Sequence, residues 1–353
     1  MKKKLLIPVI CSILLSLPAP LHAEAKPSDL QHERITVLTS EGLALSAFVT
    51  RAKSANGALP ALFFTQAVSC GSIAPRPDRL SRQERVALSA GYAIIRVDRS
   101  GSGESDGAGC DKLDYDTEVR HYREAFDQLT RHPWVKPDQI VIMGSSLGST
   151  TAPLVAQGKS VMGVVVQGAG ALTYFERMLH FDRIQLERQQ DFQPEQIFQE
   201  MQKRIEFQQH YLRGKETPEQ IEAKHPHLQG VWQSLLGTDA APHYGRPYAW
   251  HWQAADKNWL AAWTRIDAPA MVVYGEYEQF ESRHGHRLIV DSINRLRPGT
   301  ATWLEIPRAG HGLRIYPDQV TAYTFEGGQD KPELFVQPVA NWLRKILRDR
   351  QKK

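Results

Sequence analysis

The chain has 353 residues, of which 42% are hydrophobic and 23% charged, an ordinary globular composition with enough apolar residues for a large core. Its formal net charge is +4. Lys2, Lys3 and Lys4 account for most of that excess, so the rest of the chain is close to neutral and gives no support for a nucleic-acid partner.

Those three lysines open a pattern that is not part of the fold. Leu5 to Leu17 is apolar and broken by Pro8, and small residues follow, with Ala23 or Ala25 as the last residue before a cleavage point. This reads as a secretory signal peptide over 1–25. The apolar stretch is shorter than the ~20 residues a bilayer span needs. Removal of the signal would leave no stable membrane span and a periplasmic or secreted protein; a retained anchor is the alternative. Cys11 would leave with the signal, and no small residue stands before it to suggest lipidation.

Residues 34–39 and 43–50 read as two strands joined at Glu41-Gly42, a tight hairpin signal. A buried strand is expected at 60–66, a helix near 77–90 ending at Gly91, and a strand apolar on both faces at 92–98. Residues 114–131 carry helical spacing in Val119, Tyr122, Ala125, Phe126 and Leu129. A strand at 139–144, a helix at 148–157 and a strand at 161–168 follow. Strands apolar on both faces that alternate with helices predict a mostly parallel sheet covered by helices on both sides. The rhythm stops from 171 to 262, where Gln, Arg, His and aromatics dominate with helical spacing and no good strand. It resumes with a strand at 270–275, a helix at 287–296, a strand at 300–307 and a closing helix at 335–347. The expected organisation is one α/β core, 26–170 and 263–353, with a helical cap insertion at 171–262 over the C-terminal edge of the sheet.

The turn between the strand at 139–144 and the helix after it is Gly144-Ser-Ser-Leu-Gly148. A sharp strand-to-helix turn crowds the backbone, and small residues two positions either side of its centre relieve the clash. Ser146 has Gly144 and Gly148 at those positions, whereas Ser145 has Met143 and Leu147. Ser146 is therefore the candidate tip of a G-x-S-x-G nucleophile elbow; a helix N-cap is the plainer reading.

With this turn, "DRSGSGESDG" at 98–107, "YGEYE" at 274–278 and "AGHGL" at 309–313 in that order, the chain resembles the α/β-hydrolases over roughly 30–350, in particular exported bacterial members related to the esterase and serine-peptidase branches. The resemblance implies the order Ser, acid, His. His311 lies in a Gly-flanked loop after a late strand and is the expected base, unlike His284 and His286, which begin a helix. Related enzymes usually show Gly-x-x-Asp after the strand that ends here at Gly275. This sequence has Glu278 there, with Glu276 and Glu281 as alternatives. The backbone N–H of Leu147 is the first expected oxyanion donor. The second would come from Ala67 or Val68, with Val68 favoured by register, although the usual His-Gly is replaced by Gln66-Ala67-Val68.

His243, His251 and Trp250 lie in the insertion as candidate pocket residues. The aromatic segment 246–263 is read as helix–sheet packing, with a substrate wall as the alternative. "SGSGESDG" lacks a dinucleotide-binding spacing and reads as a tight loop at the sheet's rim. Asp98 and Arg99 read as a structural ion pair, with buttressing of the site as the alternative. No HExxH or Cys/His zinc spacing occurs, so neither metal nor cofactor is expected. Cys70 and Cys110 form an even pair in an exported chain, on two loops that emerge at the same sheet edge. They are expected to form a disulfide; two unpaired buried thiols are the alternative.

These readings point to a serine hydrolase cleaving a carboxylic ester or related acyl bond of a small molecule through an acyl-enzyme on Ser146. A serine peptidase acting on short peptides is one alternative. A non-catalytic binding protein on a hydrolase scaffold is the other.

Overall fold

Ile140 and Ile142 are buried in one hydrophobic cluster, while Val141 and Met143 are buried in a second. Successive strand side chains point to opposite faces, so such a run needs cover on both sides of its sheet. The architecture that provides it is seen in a computed structural model, which describes residues 26–188, 193–235, 237–238 and 243–352. The segment read as a signal peptide, including Cys11, lies outside the described residues.

Eight strands among the described residues form one sheet: β1 (Leu30–Leu38), β2 (Ala44–Ala52), β3 (Leu59–Thr65), β4 (Ala93–Val97), β5 (Val135–Ser145), β6 (Gly163–Gln167), β7 (Ala270–Gly275) and β8 (Ala301–Ile306). Their spatial order is β1-β2-β4-β3-β5-β6-β7-β8. β2 runs antiparallel to both β1 and β4, and the remaining pairs are parallel. The helices are α1 (Arg82–Ala90), α2 (Tyr115–Leu129), α3 (Gly148–Ala156), α4 (Tyr174–Arg188), α5 (Pro194–Gln208), α6 (Pro218–Lys224), α7 (Val231–Ser234), α8 (Tyr248–Ala255), α9 (Trp259–Thr264), α10 (Arg283–Leu296), α11 (Gln319–Tyr323) and α12 (Glu333–Gln351). This is the α/β-hydrolase fold.

One face of the sheet carries α2, α3 and α10, with Phe126, Val155 and Ile289 packed on Phe63, Ile142 and Val166. The other carries α1 and α12, with Val86, Val339 and Leu343 on Leu62, Val141 and Val273. Full burial of each such aliphatic side chain is worth about 1.5–3 kcal/mol over exposure.

Several boundaries differ from the sequence reading: β5 starts at Val135 rather than 139 and α10 at Arg283 rather than 287, and two further shifts have a clear local cause. α1 starts at Arg82 rather than near 77, because Pro75 and Pro77 disfavour helix in the residue before each. Ser81 then provides the cap: its Oγ accepts from the Glu84 N–H, and Glu84 Oε2 accepts from the Ser81 N–H at 2.7 Å. β1 begins at Leu30 rather than 34, with a polar stretch, Gln31 to Arg34, that suits a sheet edge.

The insertion is helical where it is described. Tyr174, Met178, Phe207, Tyr211 and Trp250 form a third cluster that includes Leu147, at the C-terminal end of β5. The helix α9, which the expected boundary at 262 divides, packs on α3 and α10 and contributes Trp263 to the core under the sheet. Trp259 of the same helix joins the insertion's cluster, so α9 packs on both sides of the expected boundary. No helix among the described residues is long and apolar enough to cross a membrane.

Cys70 and Cys110 form a disulfide, with Cα atoms 5.9 Å apart and a sequence separation of 40. Closing such a loop stabilises the fold by at most ~4 kcal/mol on the chain-entropy model. Replacing both cysteines by Ala is therefore expected to lower the denaturant midpoint and to raise the m-value, because the unfolded chain is no longer held compact by the bridge. Alkylation of both thiols in denatured, unreduced protein, read by peptide mapping, would contradict the bridge.

Candidate active site

The serine turn is held by close backbone contact. Gly148 lies against the end of β3, where a Cβ would meet the Thr65 carbonyl oxygen at 2.0 Å. A Cβ on Gly144 would meet the Gly148 oxygen at 2.5 Å. Only glycine fits either position, which is the physical content of the spacing around Ser146. Ser146 itself has φ 50°, the left-handed region that a non-glycine residue occupies at a cost. Two hydrogen bonds from this turn to the same oxygen, Ser146 N–H to Gln167 O at 2.7 Å and Ser149 Oγ to Gln167 O at 2.8 Å, hold that conformation.

From this tip a hydrogen-bonded line runs inward. Ser146 Oγ lies 2.9 Å from His311 Nε2. His311 Nδ1 lies 2.8 and 2.9 Å from the two Glu278 oxygens. Glu278 also accepts from the N–H of Phe280 at 2.9 Å. Burial alone would raise the Glu278 carboxyl, but His311 and the Phe280 N–H outweigh it and hold it below its usual range. Burial would likewise lower His311, and the Glu278 charge outweighs it, so the imidazole stands above its ordinary value.

The two alternative acids are committed elsewhere. Glu276 Oε2 accepts from the Arg308 N–H at 2.8 Å on the exposed side of the loop. Glu281 is buried against Arg177 in an ion pair. Two glutamines that the sequence reading did not single out clamp the histidine loop. Gln279 Oε1 accepts from the His311 N–H, and Gln167 Nε2 donates to the His311 carbonyl at 2.6 Å. Nothing in their sequence context distinguishes them from surface glutamines.

Arg99 pairs with Glu118 at 2.7 Å rather than with Asp98, whose carboxylate accepts from Ser72 Oγ and the Ile73 N–H. Both residues lie just past the end of β4, and each is committed to a different set of partners. Arg99 also donates to the carbonyls of Gln66 at 3.0 Å, Ala67 at 2.7 Å and Ser69 at 2.5 Å. The C=O and N–H of a trans peptide point in opposite directions. With the Ala67 carbonyl turned to Arg99, the Val68 N–H points away from it. Val68 and Leu147 both line the cavity that contains Ser146, whereas Ala67 does not. Ser102 Oγ further holds the Cys70 carbonyl at 2.9 Å, beside the disulfide.

That cavity has a volume of about 280 Å³. Ser146, Leu147 and His311 form its floor, and α4 forms one wall through Tyr174, Arg177, Met178 and Phe181. Those four recur at three- and four-residue steps, a helical stripe legible in the sequence that the reading of the insertion passed over. Trp250 lines the cavity, with Tyr244 and Arg246.

His243 and His251 do not line it, which corrects their assignment as pocket residues. Their rings stack on one another at 4.4 Å, and His251 bonds the Tyr174 hydroxyl at 2.7 Å inside the insertion's aromatic core. Burial holds His251 well below its ordinary value, so it is neutral and packs as an aromatic ring. Elsewhere in the insertion Glu206, His210 and His225 bring possible ligand atoms within 4.8 Å. His210 is bonded to Glu216 and Glu206 to His227, and none of the three lines the cavity.

Residues 73–323 match the model of the alpha/beta hydrolase family. Similar solved structures include an esterase from the archaeon Pyrobaculum calidifontis, 17% identical with a TM-score of 0.53, the match covering 90% of this chain and 86% of that one. A hypothetical protein from Pseudomonas aeruginosa is 16% identical, covering 92% and 97% with a TM-score of 0.52. Dipeptidyl peptidase 4 from Porphyromonas gingivalis is 12% identical with a TM-score of 0.52, covering 89% of this chain and 35% of that one. At these identities the likeness is one of fold. No curated protein matches the sequence.

Proposed function

The chain belongs to the alpha/beta hydrolase family, and from that premise we propose that it is an exported serine hydrolase cleaving a carboxylic ester or related acyl bond. The observation that carries this reading is the unbroken line from Ser146 through His311 to Glu278, opening on the cavity.

Ser146 Oγ attacks the acyl carbon as His311 Nε2 takes its proton. Glu278 fixes the tautomer with the proton on Nδ1 and balances the imidazolium that forms. The oxygen of the tetrahedral intermediate takes its hydrogen bonds from the N–H groups of Leu147 and Val68; loss of one such donor typically costs about 100- to 1000-fold in rate. His311 then protonates the leaving alcohol. Water, deprotonated by the same imidazole, releases the acid and regenerates Ser146.

The charges on the cavity wall speak against a peptidase that holds its substrate by a free N-terminal ammonium. Among the described residues the carboxylate lining the cavity, besides the line itself, is Glu281, and Arg177 neutralises it. An N-terminal ammonium would find no free partner. Export is supported by the disulfide, which persists in oxidising compartments.

Incubation with a fluorophosphonate probe and peptide mapping tests the reading. Label on the peptide carrying Ser146 is expected, and turnover of p-nitrophenyl esters should exceed that of aminoacyl-anilides. Absence of label on folded protein would leave the binding-protein alternative. Mild reduction is expected to lower ester turnover before the protein unfolds, because Cys70–Cys110 anchors the segment that presents Val68. Turnover unchanged after complete reduction would remove that role from the bridge.

A further inference from the structure

Arg246 has no part in the chemistry above, yet it is fully buried and lines the same cavity as Ser146 and His311. Its Nη2 donates to the Val68 carbonyl at 3.3 Å. Its Nε and Nη1 have no hydrogen-bond acceptor among the described residues. The nearby carboxylate is Glu118, whose Oε2 is 3.6 Å from Arg246 Nη1. That carboxylate already accepts from Arg99 Nε at 2.7 Å and from Trp250 Nε1 at 3.2 Å.

Two buried guanidinium groups thus share one carboxylate, and the group of three carries a net positive charge. Among the described residues the other charges on the cavity wall do not cancel it. Glu281 is spent on Arg177, and Glu278 lies behind His311, with both oxygens on its Nδ1. Burial, only partly offset by Glu118, holds Arg246 below the usual arginine range, the direction expected for a cation short of counter-charge. An incompletely paired buried charge is costly to the fold. A guanidinium with unpartnered donors beside a cavity is matched in charge and geometry by a carboxylate. The remaining walls, Leu147, Met178, Phe181, Phe280 and Trp250, suit a short apolar linker.

We infer that Arg246 is the anchor for a carboxylate on the substrate, so that the preferred substrates are esters bearing a free carboxylate a few atoms from the scissile bond. This rests on the serine-hydrolase reading of the same cavity. The carboxylate can enter on the acyl side or on the leaving group, and the two are distinguished by substrate pairs.

On the acyl side, mono-p-nitrophenyl adipate is compared with p-nitrophenyl hexanoate. On the leaving-group side, 4-acetoxybenzoate is compared with 4-acetoxybenzamide. In one of the two pairs the wild-type enzyme is expected to favour the anion by roughly 10- to 100-fold in kcat/KM, the range of a hydrogen bond to a charged group. The preference should reside mainly in KM. Arg246→Gln should collapse that ratio towards one, and Arg246→Lys should restore part of it. Equal losses on both members of a pair, with the ratio unchanged, would show that Arg246 only props Val68 and would overturn the proposal. Absence of preference in both wild-type pairs would overturn it without any variant, so a failure of Arg246→Gln to fold does not protect it. Binding of adipate or benzoate, measured by calorimetry against hexanamide and benzamide, reads the anion site without turnover. Selective carboxylate binding without fluorophosphonate label would keep the anion site and remove the hydrolase reading. Label without carboxylate selectivity in any arm would do the reverse.

Discussion

Ser146→Ala is expected to abolish fluorophosphonate labelling and to cut ester turnover on the order of 10⁶-fold, the cost of removing a nucleophile that acts as a unit with its base. The protein should remain folded, because the hydrogen bonds that fix the turn come from the backbone of Ser146 and from Ser149, not from the Ser146 hydroxyl. Relief of the positive φ would be slight, since Ala bears the same Cβ. Ser145→Ala is the matched control. Its hydroxyl lies 3.2 Å from Gln167 Oε1, and Gln167 in turn holds the His311 carbonyl. Losing that one bond should cost within roughly tenfold in rate, the range of a single neutral hydrogen bond. If Ser145→Ala removed the label from folded protein while Ser146→Ala kept it, the register of the turn would be wrong.

The parts of the site that could be read in the sequence are those where backbone geometry restricts the residue type. Gly144 and Gly148 are such positions, because any side chain would strike the end of β3 or the turn itself. The alternation of Ile140, Val141, Ile142 and Met143 between two faces is another, because it requires cover on both sides. The histidine and acid follow from chain order once the strands are placed. What escaped depends on side chains meeting across distant segments. Arg246 approaches Glu118 and Val68 from far along the chain, and no local spacing announces that. Gln167 and Gln279 converge on His311 from the ends of two strands. His243 and His251 misled for a related reason. Polar aromatics in an insertion suggest a pocket, but a ring that stacks and hydrogen-bonds internally is as easily buried as tyrosine. Pro75 and Pro77 are legible as breakers, and they hold back the start of α1 to Arg82.

The acid offers a test in which rate and pH dependence move differently. Glu278→Gln keeps the size of the side chain and can still meet the backbone N–H of Phe280, so the fold should survive. The amide cannot balance an imidazolium and permits the wrong tautomer at Nδ1, so kcat should fall by roughly 10³- to 10⁴-fold. His311 acts as a base only when neutral, so activity is lost as pH falls through its pKa. In the wild type that pKa stands above the ordinary histidine value because the Glu278 charge outweighs burial. With the charge removed, burial remains and favours the neutral ring. The acid limb of the kcat/KM profile should therefore move to lower pH while its plateau drops. A merely structural role for Glu278 would lower the plateau without moving the limb. Glu276→Gln, at a carboxylate bonded only to the Arg308 N–H among the described residues, should leave both plateau and limb in place. A shifted limb in Glu276→Gln and none in Glu278→Gln would reassign the acid.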